Sequence, residues 1–419
     1  MNSSAARLHR LASSAGFCIA LLLVVDSGRA GTPARMNGSV SSDWYFLDDG
    51  AYNRVQTYNS FRAMLTVPST ASTYWQLRTN LRWRKDLDDN PRAKDQLYVY
   101  ETYLQFTGII KRTNIMIGRQ FIYSNLGAAL VDGGKLQVKL RNILAFDVYG
   151  GSQVQSSQPD KIKSLTDFGM AGVRFSGKFD NWSNWGVEGL LRKYEGSVSY
   201  SAVGIDLSRT RAVSQMYAQA AYDIANSRLA LVRGRLSLNP KKWYLSGEFI
   251  WREPIVRANS LFSVVSFDRY RLARLGLRRN LKGQVALDGS ASLSFSSSTT
   301  TLYSMLGFTG GNWGIGWRHQ NGRGTSSNGV YGFVSFNLSR RWSVFGNTDL
   351  SRYRIQELQE SLNDAYSASA GLSFRPGSDF TIRAEGQVVR NAVSTSDVRL
   401  FIRILKGFTL EHPTREGRP

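Results

Sequence analysis

The sequence predicts an all-β chain: a transmembrane antiparallel up-and-down β-barrel of about 18–22 strands. Three observations carry that expectation. The N-terminus reads as an export signal. Segment after segment alternates apolar and polar residues with period two, with aromatics at the ends of the apolar set. Short turn-like connections alternate with longer polar ones. The stretch Thr73–Arg84 shows the pattern most fully. Trp75, Leu77, Thr79, Leu81 and Trp83 fall on one strand face, and Gln76, Arg78, Asn80, Arg82 and Arg84 on the other, because successive side chains point to opposite sides. An apolar face with Trp near each end, backed by a basic polar face, suits lipid outside and water inside. A soluble exported β-rich binding protein alternates with the same period. Its apolar face would be core, however, and seldom holds a Trp at both ends.

The first residues support export. Arg7 and Arg10 precede an apolar run, Ala15–Val25, and Gly28-Arg29-Ala30 follows it. This is the order of a cleaved signal over residues 1–30, and the run is too short to span a bilayer as a helix. Cys18 is the only cysteine and leaves with the signal, so the mature chain forms no disulfide. No later segment approaches the roughly twenty apolar residues of a transmembrane helix. The formal charge is +22. Such a balance usually points to nucleic acid, but export argues against it. The basic residues also recur singly on strand faces rather than in runs. The partners expected instead are outer-membrane lipid and lipopolysaccharide outside the barrel and small, anionic solutes inside it. A homo-oligomer or a lumen-filling partner fits the same pattern.

The barrel is expected over 31–408, followed by a polar tail, 409–419. In order, the alternating segments are Arg35–Phe46, Thr57–Val67, Thr73–Arg84, Gln96–Thr107, Thr113–Phe121, Gly134–Leu140, Ile143–Gly150, Thr166–Ser176, Ser183–Tyr194, Ser197–Asp206 and Ala212–Asp223. There follow Arg228–Leu238, Trp243–Arg252, Phe267–Arg279, Gln284–Phe295, Thr300–Phe308, Asn312–His319, Gly329–Leu338, Trp342–Tyr353, Ala365–Arg375, Phe380–Asn391 and Asp397–Phe408. The weakest are Gly134–Leu140, Ser197–Asp206 and Thr300–Phe308. Turn chemistry fills the short connections, as in Asn239-Pro240-Lys241-Lys242 and Pro376-Gly377-Ser378-Asp379. Longer polar connections include Lys85–Asp95, Gly151–Leu165, Glu253–Ser266 and Arg354–Asp364. The last has the composition for one or two helical turns. Bacterial barrels place short turns in the periplasm and long loops outside. With no plug domain before the first strand, a wide barrel must be narrowed by its own loops or by a partner, and Gly151–Leu165 and Glu253–Ser266 are the candidates.

The apolar sets place Trp75, Trp83, Trp243, Trp251, Trp313, Trp317 and Trp342 at the lipid interfaces. The opposite sets give the expected pore lining: Arg78, Arg82, Arg84, Glu101, Arg119, Lys135, Arg174, Arg192, Arg233, Arg235, Glu248, Arg252, Arg383, Glu385, Arg399 and Arg403. A bulge near Ala273 would add Arg269, Arg271, Arg274 and Arg278. Asp147, Glu188 and Asp349 join the inward acids, which are fewer than the arginines. A low-dielectric wall with surplus positive charge concentrates anions, and rings of Arg or Lys make pores anion-preferring.

Asn114-Ile115-Met116-Ile117-Gly118-Arg119-Gln120, then Val131-Asp132-Gly133-Gly134-Lys135-Leu136, then Leu144-Ala145-Phe146-Asp147-Val148-Tyr149-Gly150-Gly151 resemble the alginate-export and related porin-like barrels. There a Gly-Arg-Gln strand is followed by an Asp-Gly turn and a strand ending in Gly-Gly. The resemblance implies an electropositive outer-membrane conduit of about 18 strands, with Arg119 and Lys135 as lumen charges.

Catalysis is not expected. The mature chain has two histidines, His319 at a strand end and His412 in the tail. No Ser/His/acid set can be assembled by spacing, and Cys and His are too sparse for a metal centre. No cofactor is expected. The nearest acid cluster, Asp86, Asp88 and Asp89 beside Lys85, Arg92 and Lys94, reads as a solvated loop. Two functions remain. One is passive, weakly anion-selective passage of small solutes. The other is a sheath that houses or exports a partner, either a secreted anionic polymer or an electron-transfer cytochrome.

Overall fold

The computed structural model describes residues 34–411 apart from 49–52, 71, 88–94, 142, 156–157, 254–268, 297–298, 323–324, 356–362 and 393–396. The signal region, most of Lys85–Asp95, nearly all of Glu253–Ser266, most of Arg354–Asp364 and His412 lie outside the described residues. Alternation becomes strand throughout: β1 (Arg35–Asp48), β2 (Asn53–Pro68), β3 (Tyr74–Asp86), β4 (Gln96–Thr107), β5 (Thr113–Ser124), β6 (Gly127–Arg141), β7 (Leu144–Gln153), β8 (Gly169–Lys178), β9 (Ser183–Tyr194), β10 (Ser197–Arg211) and β11 (Ser214–Asp223). The second half is β12 (Arg228–Leu238), β13 (Trp243–Arg252), β14 (Tyr270–Asn280), β15 (Ala286–Phe295), β16 (Thr300–Thr309), β17 (Trp313–Gly322), β18 (Thr325–Asn337), β19 (Trp342–Ile355), β20 (Asn363–Phe374), β21 (Phe380–Arg390) and β22 (Asp397–Glu411). One short helix, α1 (Leu165–Phe168), stands before β8, its first turn capped by the Ser164 hydroxyl accepting from the Thr166 N–H at 3.1 Å.

Each strand pairs antiparallel with its neighbours in sequence, and β22 pairs with β1 from Val398↔Asp48 to Glu411↔Arg35. The 22-stranded sheet is therefore a closed barrel. Closure leaves no edge, the condition for backbone N–H and C=O groups to cross hydrocarbon. The seam carries β22 through Thr409–Glu411, three residues beyond the expected end of the barrel. The count also exceeds the one implied by the resemblance.

Arg35, which begins β1, and Glu411, which ends β22, lie at one end, called the lower end, with the short turns such as Asn239–Lys242. The long connections β3–β4, β7–β8, β13–β14 and β19–β20 stand at the upper end. Paired residues share a face, so the register carries the faces around the barrel. One face runs Trp243, Leu245, Gly247, Phe249, Trp251 on β13 into Arg279, Leu277, Leu275, Ala273, Arg271 on β14. It continues as the apolar set of every neighbouring strand, and Leu275, Ile315, Leu350 and Phe308 on it are exposed. Such a belt is tolerable only against lipid. At its lower rim Trp75, Trp185, Trp243, Trp313 and Trp342 each stand within three residues of the start of a rising strand, and Trp83 and Trp251 stand at the upper rim. The chain is an outer-membrane β-barrel.

β14 corrects one expectation. Its pairings with β13 and β15 run without a register shift, so there is no bulge at Ala273. Arg274 and Arg278 face the polar side regardless. Arg271 lies on the lipid side opposite Trp251, and Arg279 packs 4.8 Å over the Trp243 ring at the lower rim. Arg269 precedes the strand and holds Glu253 at 2.5 Å.

The facing is testable. Ala384→Arg on the apolar face of β21 (opposite Leu372 and Ile402) is expected to cost about 2–4 kcal/mol. Asn347→Arg, on the polar face of β19, is expected to cost little. Urea titration of refolded protein in liposomes separates them.

Candidate functional site

The polar face is laced with ion pairs. Arg78 reaches Glu101 at 3.3 Å, Lys135 Asp147 at 3.7 Å, and Arg233 Glu248 at 2.6 Å. Arg174 spans Asp206 at 2.7 Å and Glu188 at 3.5 Å. Arg383 holds Glu385 at 2.8 Å while its guanidinium lies 4.0 Å over Phe345. Arg399 pairs with Asp397, and Arg403 with Asp43 at 2.6 Å across the seam. Arg274, Arg278 and Arg318 find Glu248, Asp288 and Asp349. The alternation argument had missed Asp43, Asp206, Asp223, Asp288 and Asp397 as inward acids. Several lie near strand ends or bulges, where parity alone misassigns a face. Half-exposed pairs of this kind contribute about 0–1 kcal/mol each. Their larger effect is on the field: they cancel most of the arginine charge locally.

The cancellation is uneven. On β2 and β3, Arg62, Arg82 and Arg84 make no ion pair among the described residues. Arg82 packs 4.1 Å over the Tyr58 ring, and its buried Nε has no hydrogen-bond partner. Arg62 and Arg82, with Ser39, Ser41, Ser60 and Asn80, line a cavity of about 340 Å³, in which Arg403 is already held by Asp43. Tyr45, between Tyr58 and Phe401 at 5.2 and 5.1 Å, fixes the aromatic backing of this wall. Arg235 and Arg252 also lack an ion pair among the described residues. Arg252 lines a second cavity, of about 650 Å³, with Arg192.

Of the two expected loops, Glu253–Ser266 lies almost wholly outside the described residues, and Gly151–Leu165 meets an inward-folded segment through the carbonyls of Pro159 and Lys161, which Arg119 holds. That segment is the upper part of the β5–β6 hairpin, folded inward onto the lumen wall of β7–β12. Gly118, Gly133 and Gly151 stand opposite one another on β5, β6 and β7. Gly118 has φ +124°, and a Cβ there would run into the Thr102 carbonyl. A Cβ at Gly133 would run into the Gly150 carbonyl. Only glycine permits strands this close at that angle. At this row β5 leaves β4, whose last pairing is Thr102↔Arg119. Asp132-Gly133 is therefore mid-strand at a fold, not the turn the resemblance implied.

Beyond the fold, Ile122, Leu126 and Val131 are almost fully buried against Tyr149, Met170, Leu190, Tyr200, Ala202, Ala221 and Ala230 of β7–β12. The tip is also bonded to the wall. The Asn125 N–H donates to Glu188 Oε2 at 3.0 Å, and Gln219 Nε2 donates to the Asn125 carbonyl at 2.5 Å. Leu126 lies where a side chain of Gly204 would stand. Tyr149 and Arg174 hold the same Glu188. A contact from β5–β6 to β9–β11 follows a chord on the concave side, which identifies the polar face as the lumen. The signal was in the sequence: the inward sets of β8–β12 turn apolar at Met170, Leu190, Ala202 and Ala221, which water alone would not favour.

Arg119 belongs to the fold of the hairpin rather than to the open lining. It is 7% exposed. Its Nε and one terminal nitrogen donate to Asp132 at 2.6 and 2.7 Å, and the other nitrogen donates to the carbonyls of Val99 and Pro159. This bidentate clamp ties the fold row to β4 and to the β7–β8 connection. Arg119→Met leaves the Asp132 carboxylate without its cation, and breaking such a buried pair costs about 3–5 kcal/mol. A lower midpoint for heat-induced loss of the compact gel-mobility form checks this. Arg192 lies against Gly127, near the hairpin tip.

No protein-family model matches the chain, and no curated protein sequence does. Among solved structures it is similar to the P pilus usher translocation pore PapC, at 11% identity over 90% of this chain and 99% of that one, TM-score 0.43. It is similar to OccAB4 of Acinetobacter baumannii at 8% identity over 90% and 99%, TM-score 0.43. A BenF-like porin of Pseudomonas fluorescens Pf-5 stands at 10% identity over 90% and 99%, TM-score 0.42.

Proposed function

We infer that the barrel is a passive pore for small anionic solutes, with no catalytic role. The observation that carries this reading is the uneven charge of the lumen wall. The hairpin covers the β7–β12 side, so solute passes along the uncovered wall, which includes β2 and β3. There Arg62, Arg82 and Arg84 carry charge that no described acid offsets. Positive charge on a low-dielectric wall raises the local anion concentration. Hydroxyl and amide groups beside it replace hydration as a solute strips water. Selectivity is weak because most of the other lumen arginines are paired.

The test is purified protein in a planar lipid bilayer under a salt gradient. Stable conductance steps with an anion-directed reversal potential support the pore and its charge. Steps with cation preference contradict the charge argument. Folded protein that gives no steps contradicts the pore and favours the sheath.

A further inference from the structure

On the lipid side, the upper rim of β17–β21 carries a polar row above the apolar belt. His319, Asn328, Arg352 and Asp364 stand opposite one another on β17, β18, β19 and β20. Arg354 lies one step higher on β19, and Arg390 ends the outward set of β21, opposite Tyr366. Below the row, Trp317, Val330, Leu350 and Tyr366 flank a shallow groove of about 410 Å³, with Arg352 and Asp364 at its head. Asp364 holds Arg352 at 2.8 Å. Among the described residues Arg354 and Arg390 make no ion pair, so the rim keeps a surplus of positive charge. Elsewhere at this height outward basic residues such as Lys85 and Arg271 stand singly.

We propose that this groove and its arginine rim bind a phosphate-bearing glycolipid of the outer leaflet. The lower end carries the short turns, so the upper end faces outward. A lipid seated there lays an acyl chain along Val330 and Leu350 and brings its phosphate level with Arg352, Arg354 and Arg390. Guanidinium groups suit phosphate because their forked donors match its oxygens. Asp364 sits at the same site and repels the phosphate, so it limits affinity. His319 is already engaged, its Nδ1 2.7 Å from Asn328 Oδ1 and its ring stacked on Trp317. It frames the groove.

The experiment is native mass spectrometry of the folded barrel in detergent with added bis-phosphorylated lipid A, its dephosphorylated form, or phosphatidylglycerol. The expected result is retention of lipid A in preference to both others. Retention should fall at least tenfold in Arg352→Gln/Arg354→Gln/Arg390→Gln and rise in Asp364→Asn. The opposite sign of the second variant separates a binding site from damage to the fold. Equal retention by the triple variant and the parent, or of the dephosphorylated lipid, overturns the proposal. Equal retention of phosphatidylglycerol overturns the glycolipid assignment.

Discussion

Replacing the hairpin tip, Tyr123–Ala128, by a two-glycine turn is expected to raise single-channel conductance several-fold while leaving the barrel folded. The tip reaches inward from β5–β6 to the wall at β9–β11, and a 22-stranded barrel is wide without it. The strand ladder below Gly118 and Gly133 does not depend on it, because β5–β6 and β6–β7 pairing continues to the lower end. The loss is confined to Leu126 of the apolar cluster and to the bonds of Asn125 with Glu188 and Gln219. Burying Ile122, Leu126 and Val131 contributes about 1.5–3 kcal/mol each. Their sum keeps the intact hairpin closed nearly all the time, so it is a fixed constriction and not a fluctuating gate. Unchanged conductance in a folded deletion variant would show that the restriction lies elsewhere.

The second large effect is on selectivity. Arg62→Gln/Arg82→Gln is expected to move the reversal potential toward the cation side, with little change in stability. Both side chains lack an ion pair among the described residues, so their removal subtracts charge without stranding an acid. Arg78 and Arg233 make a control. Each is matched by a carboxylate, and removing either with its partner should leave selectivity nearly unchanged. Arg119→Met should destabilise the hairpin fold without the selectivity shift of the double variant, since its charge is spent on Asp132. Reversal potentials of these variants under one salt gradient distinguish a wall set by its unpaired arginines from one set by total arginine number.

Much of the barrel was legible because alternation is local. Each expected segment corresponds to a strand, and Gln96–Thr107, Ser183–Tyr194, Arg228–Leu238 and Trp243–Arg252 match to the residue. Gly134–Leu140 covered only part of its strand for a physical reason. Gly127–Arg141 contains Gly133-Gly134, and glycine pairs read as turns until a neighbouring strand is seen to need the space. The same pair hid the hairpin. Its fold depends on Gly118, Gly133 and Gly151 falling opposite one another, and register between strands is not a property of any one of them. The lumen charge was read too high for a related reason. Asp43 meets Arg403 across the seam of the barrel, and Asp206 meets Arg174 from two strands away. Neither pairing leaves a mark at short range in the sequence.

The central claim is that the β5–β6 hairpin lies folded on the lumen wall. The most direct measurement is an oxidative cross-link in Leu126→Cys/Gly204→Cys. The chain holds no cysteine beyond Cys18, and Leu126 occupies the space where a Gly204 side chain would stand. The account expects an intramolecular disulfide to form readily in the folded protein, seen as a mobility shift reversed by reductant, with single-channel conductance as restricted as in the parent. Failure of the two thiols to join in a folded, heat-modifiable barrel would contradict it.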